Sequence, residues 1–84
     1  MHACGHDFHS TALLGTAKAM AENKDAWRGT LVFVAQPAEE SVTGATAMVK
    51  DGLFNKVPRP DQLMALHTTG LLKKGTVAVV EGYT

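Results

Sequence analysis

The residues with chemical potential crowd the opening of the chain. Met1-His2-Ala3-Cys4-Gly5-His6-Asp7-Phe8-His9-Ser10 holds three histidines, a thiol and a carboxylate, in a chain with only four histidines and one cysteine. Cys4 and His6 are two residues apart, so an extended backbone turns both to one side. Gly5 between them permits a bend or a close approach to an ion. Thiolate and imidazole together suit zinc, cobalt, nickel or manganese better than calcium or magnesium. Two further places supply donors of the same kind: the adjacent Glu39 and Glu40, and His67. Neighbouring carboxylates after a strand point in different directions. One can therefore bind an ion while the other serves as base toward a water.

Each of these residues has a plainer reading on its own. A Glu-Glu pair is usually a solvated loop, and a single histidine is usually a satisfied strand residue. A lone cysteine is usually a small buried hydrophobe. Asp7 can be a capping carboxylate favoured by the helix dipole, and His9 a surface group. Their joint occurrence favours a site, because strand-and-helix units separate them in sequence and can return them to one rim. A thiol nucleophile is the rival chemistry, with Cys4 activated at a helix N-terminus and His6 or His67 as base. It leaves three further ligand-type residues without a purpose.

The elements that must position these groups follow in order. Ser10 reads as an N-cap for a helix from Thr11 to about Asn23, with Leu13, Ala17 and Met20 on one stripe and Leu14 and Ala21 widening it. Trp27 is an anchor in the turn that follows. TLVFVAQ, 30–36, is a continuous β-branched run that predicts a strand buried on both faces. A second helix is expected from Thr43 or Gly44 to Asp51, with Ala45, Met48 and Val49 inward and Gly52 as its stop. QLMALHT, 62–68, and GTVAVVEG, 75–82, predict two more strands. The order predicts an α/β fold: a mixed, mostly parallel sheet flanked by helices, with ligands at the carboxyl ends of its strands.

Composition narrows the function classes. Eight basic and eight acidic residues cancel, which leaves no electrostatic footprint for nucleic acid or an anionic membrane. One cysteine excludes an internal disulfide and leaves the thiol free. No stretch approaches the ~20 apolar residues of a membrane span. The expected compartment is the cytoplasm, a signal peptide lost with a missing N-terminus being the alternative.

MHACGHDFHSTALLGTAKAM, then QPAEE, GATAMVKDG and LH, resembles the amidohydrolase branch of the dinuclear metallopeptidases, which includes hippurate hydrolases, N-acyl-amino-acid amidohydrolases and auxin-conjugate hydrolases. The resemblance spans essentially the whole chain. It implies Cys4, His6, Glu40 and His67 as metal ligands and Glu39 as catalytic base, with Asp7 and His9 behind the ligands. It implies two divalent ions (manganese, zinc, cobalt or nickel), a small N-acyl amino acid as substrate, and a homodimer. It also implies that residues 1–84 are a fragment of the partial metallopeptidase catalytic domain, with the satellite domain and a distal histidine ligand absent. The expected reaction is hydrolysis of the amide bond by a metal-activated water. A catalytically inactive remnant that at most binds metal, or a cysteine-nucleophile hydrolase, are the alternatives.

Overall fold

The computed structural model describes residues 3–79. Helix α1 runs over His6–Glu22, a 3-10 turn over Lys24–Ala26, helix α2 over Gly44–Lys50 and the single-turn α3 over Leu53–Lys56. No strand forms among the described residues, so the expected α/β sheet is not present there. The runs 30–36 and 62–68 have no regular secondary structure, and neither enters a backbone ladder among the described residues. The third expected strand is likewise unpaired from 75 to 79, and its last residues lie outside the described range. The reason is physical. A β-branched run states that a segment suits a pleated surface, but its N–H and C=O groups become a strand only when a second strand pairs with them.

Helix α1 starts earlier than its sequence signals suggest. Gly5 is its N-cap residue, in the left-handed conformation (φ 78°) and with no side-chain cap. Its carbonyl accepts the first helical bond from the His9 N–H at 3.0 Å. Ser10 lies inside the helix and donates its hydroxyl to the His6 carbonyl at 2.9 Å, while Thr11 does the same to Asp7 at 2.8 Å. Serine favours caps because its side chain can reach backbone groups, and the same reach lets it bond back one turn within a helix. The cap signal at Ser10 was therefore ambiguous, and tertiary contact decided it.

The stripe of α1 does hold. Leu13, Ala17 and Met20 are half-buried, and the stripe continues toward the N-terminus through His9 and His6 at helical spacing. Leu14 is 71% exposed, so the stripe is not widened on that side. At the C-terminus the Trp27 indole N–H donates to the Met20 carbonyl at 2.9 Å, and the Asn23 amide donates to the Ala19 carbonyl at 2.8 Å. The Ala19 carbonyl also accepts from the Asn23 main-chain N–H at 3.2 Å, and the indole satisfies the Met20 carbonyl, one of those in the last turn that lack a helical partner.

Helix α2 begins at Gly44 as expected, ends at Lys50 with Asp51 as its C-cap residue, and Gly52 follows with φ 83°. Of its three expected inward residues only Met48 is half-buried, and Ala45 and Val49 stay exposed. Gly44 is the one buried residue among those described. A Cβ there would lie 1.6 Å from the Pro37 carbonyl oxygen, so the two ends of the segment 37–44 press together backbone to backbone. No helix of the described residues is long and apolar enough to cross a membrane.

A candidate metal centre at the start of the first helix

Three segments meet at the N-terminal turn of α1. Cys4 and His6 come from the turn and the helix start, Glu39 and Glu40 from the loop 37–43, and His67 from the irregular run 62–68. Donor atoms of Cys4, His6 and His67 lie within 4.8 Å of one another, and so do those of His6, Glu39 and Glu40. His6 belongs to both groups, so the two triads share a corner. Cys4 and His6 face together through the left-handed turn at Gly5, not through the alternation of an extended strand.

The carboxylates reach His6 in nearly equivalent ways. Its Nε2 lies 3.3 Å from Glu39 Oε2 and 3.4 Å from Glu40 Oε1. The expectation that neighbouring glutamates diverge therefore fails here. A tight loop explains the convergence. The Val42 N–H donates to the Glu39 carbonyl at 2.8 Å, and the Ser41 hydroxyl donates to the Ala38 carbonyl at 3.0 Å. Ala38 (φ 50°) and Val42 (φ 56°) are both left-handed, a costly conformation for a residue with a Cβ, most of all a β-branched one. Closure of the loop at Gly44 holds them there and turns both carboxylates to one side.

His67 enters from across the site. Its Nε2 lies 3.5 Å from Cys4 Sγ, and its ring packs on His9 with centroids 4.2 Å apart. His6 and His67 stand edge to face at 6.0 Å. Burial and the neighbouring His67 and His6 hold His9 below the usual histidine range. Hydrogen bonding toward Glu40 pushes the Cys4 thiol up, aided by desolvation and by the charges of Glu40 and Glu39. The thiol has one proton to offer to Glu40 or to His67 Nε2. A helix N-terminus was expected to lower this pKa, whereas the surroundings of Cys4 push it the other way, which does not favour a nucleophilic cysteine.

Of the expected site residues, Cys4, His6, Glu39, Glu40 and His67 are brought together. Asp7 lies in the first turn of α1 and joins neither donor group, and the His9 ring packs against that of His67. Thr68 carries more than sequence reading assigned to it. Its hydroxyl lies 3.1 Å from His9 Nε2 and 3.5 Å from the Cys4 carbonyl. Its only sequence signal is its place next to His67. The donor set mixes one thiol, two imidazoles and two carboxylates, which fits a borderline divalent ion such as zinc, cobalt, nickel or manganese.

No solved structure matches the chain significantly. Among curated proteins it is 43% identical to an N-acetyl-L-cysteine deacetylase of Bacillus subtilis (strain 168) over 98% of this chain and 19% of that protein. It is 45% identical to IAA-amino acid hydrolase ILR1-like 4 of Arabidopsis thaliana, over 98% of this chain and 18% of that protein. An N-acetyldiaminopimelate deacetylase of Lactobacillus helveticus (strain DPC 4571) is 40% identical over 98% of this chain and 21% of its own length. The chain spans about a fifth of the length of these curated relatives. The glutamate loop, the Cys4/His6 turn and His67 all lie within the match to peptidase family M20/M25/M40, which runs over residues 1–82, and the chain belongs to that family.

Proposed function

We propose that this chain supplies the metal-binding rim of a metal-dependent hydrolase that cleaves the amide bond of N-acyl amino acids. The observation that carries the reading is the pair of donor triads sharing His6. Cys4, His6, Glu40 and His67 would hold two divalent ions, whose contribution is to polarise the amide carbonyl and acidify the attacking water. Glu39 takes the proton from that water and returns it to the leaving amine nitrogen. The thiol of Cys4 must lose its proton to act as a ligand, and its high pKa without metal means that metal uptake releases a proton. The relatives' names supply the substrate class: two are deacetylases of N-acetylated amino acids and one is an IAA-amino acid hydrolase.

The two glutamates are geometrically alike around His6, so function must separate them. In the full-length protein assayed on an N-acetyl amino acid with manganese, zinc or cobalt supplied, Glu39→Gln is expected to keep metal and lose most turnover, while residues 1–84 alone are expected to show no hydrolysis. Glu40→Gln is expected to lose metal affinity as well. Equal metal loss in both variants would refute the division of roles, and undiminished hydrolysis in Glu39→Gln would refute the mechanism.

A further inference from the structure

Thr68 stands at the meeting point of the polar groups behind His67. Its main-chain N–H lies 3.1 Å from His9 Nε2, its hydroxyl is also 3.1 Å from that nitrogen, and its carbonyl faces His67 Nδ1. Two of these partners have fixed roles. A carbonyl can only accept, so His67 Nδ1 carries a proton and donates it to the Thr68 carbonyl. A main-chain N–H can only donate, so His9 Nε2 is an acceptor and the neutral ring carries its proton on Nδ1. The hydroxyl then gives its single proton either to His9 Nε2 or to the Cys4 carbonyl. In the neutral His67 ring this assignment puts the lone pair on Nε2, the nitrogen that faces Cys4 Sγ.

We propose that Thr68 is a positioning residue for His67, gripping the first turn of α1 through His9 and the Cys4 carbonyl and so fixing the ring orientation and tautomer that His67 presents. Gly5 belongs to the same device. A Cβ at residue 5 would come within 2.7 Å of the Thr68 hydroxyl, so the glycine leaves room for the clasp as well as adopting the left-handed turn. His9 and Thr68 are 59 residues apart in sequence, so the clasp ties the run bearing His67 to the helix bearing His6. A histidine ligand whose second nitrogen is held by a carbonyl is oriented before the ion arrives.

The proposal rests on the reading of His67 as a ligand, and the test separates the two. Cobalt(II) is titrated into the full chain and followed by the thiolate-to-cobalt absorption, while long-range proton–nitrogen correlations of the metal-free chain report each imidazole tautomer. Thr68→Val is expected to weaken cobalt binding by about tenfold or more and to change the His9 or His67 ring signals. Thr68→Ser, which restores the hydroxyl, is expected to recover both, and circular dichroism of α1 verifies that each variant keeps the helix. His67→Gln is the control for the ligand reading. If it weakens cobalt binding while Thr68→Val leaves affinity and ring signals unchanged, the clasp is wrong. A Thr68→Val defect that Thr68→Ser does not recover also overturns it. If His67→Gln binds cobalt as tightly as the parent, the ligand reading fails and the positioning role falls with it.

Discussion

The exposed surface of this chain yields a quantitative expectation about its behaviour in solution. A compact monomer of 8.9 kDa exposes about 4,800 Å², whereas this chain exposes 8050 Å². The radius of gyration, 14.7 Å, likewise exceeds the roughly 12 Å of a compact chain of this length. The excess of about 3,200 Å² is several times the ~800 Å² that one partner contributes to a standard interface. No hydrophobic side chain is fully buried among the described residues, and Leu63, Met64 and Leu71 are 87%, 99% and 94% exposed. The runs 30–36 and 62–68 add unpaired backbone groups to this apolar surface, the combination that templates strand pairing between chains. The perturbation is Val32→Lys with Val34→Lys, two positions on one side of the first run, where charge blocks edge pairing. Light scattering on a sizing column over about 1 to 100 μM protein is expected to give a mass above the monomer for the parent chain, shifted toward the monomer in the double variant. A parent chain that stays monomeric throughout and does not enhance the fluorescence of an apolar dye would refute the reasoning. Unchanged association in the double variant would move the blame from residues 30–36 to another surface.

Three further outcomes are expected. Cobalt bound to the parent chain should give a thiolate charge-transfer band that disappears in Cys4→Ser; its survival would remove Cys4 from the ligand set. Val42→Gly should relieve a left-handed conformation that costs a β-branched residue about 1–2 kcal/mol, a gain partly offset by the unfolded-state entropy of glycine. Hydrogen exchange at the residue 42 amide, which donates to Glu39, should then slow several-fold, and faster exchange would argue that the valine side chain itself holds the loop. Lys56, whose Nζ lies 2.7 Å from Asp51 Oδ2, holds the Asp51 carboxyl below its ordinary value through a hydrogen bond and its charge. Since the folded pKa is depressed, the contact contributes stability above the unfolded carboxylate pKa and loses it as pH falls through the folded one. A carboxyl titration by NMR should show Asp51 moving upward in Lys56→Met, and no movement would place the cause elsewhere.

Residue types and local spacing determined much of this protein. The histidines, thiol and paired glutamates were legible as a donor set because few other roles account for all of them together. The stop after α2 was legible because Gly52 answers a local demand for a left-handed backbone. The stripe of α1 was legible from its period, including the way it leads into His6 and His9. Tertiary structure decided the rest. The runs 30–36 and 62–68 carry strand composition, but pairing is a property of two segments, and none pairs them here. The start of α1 depended on Gly5 turning left-handed beneath the Thr68 hydroxyl, a contact between residues more than sixty positions apart that overrides the cap signal of Ser10. The convergence of Glu39 and Glu40 on His6 depended on backbone contact between Pro37 and Gly44, which forces Ala38 and Val42 into conformations their side chains disfavour. Propensity describes what a residue prefers alone, and this site is assembled where long-range contact overrules that preference.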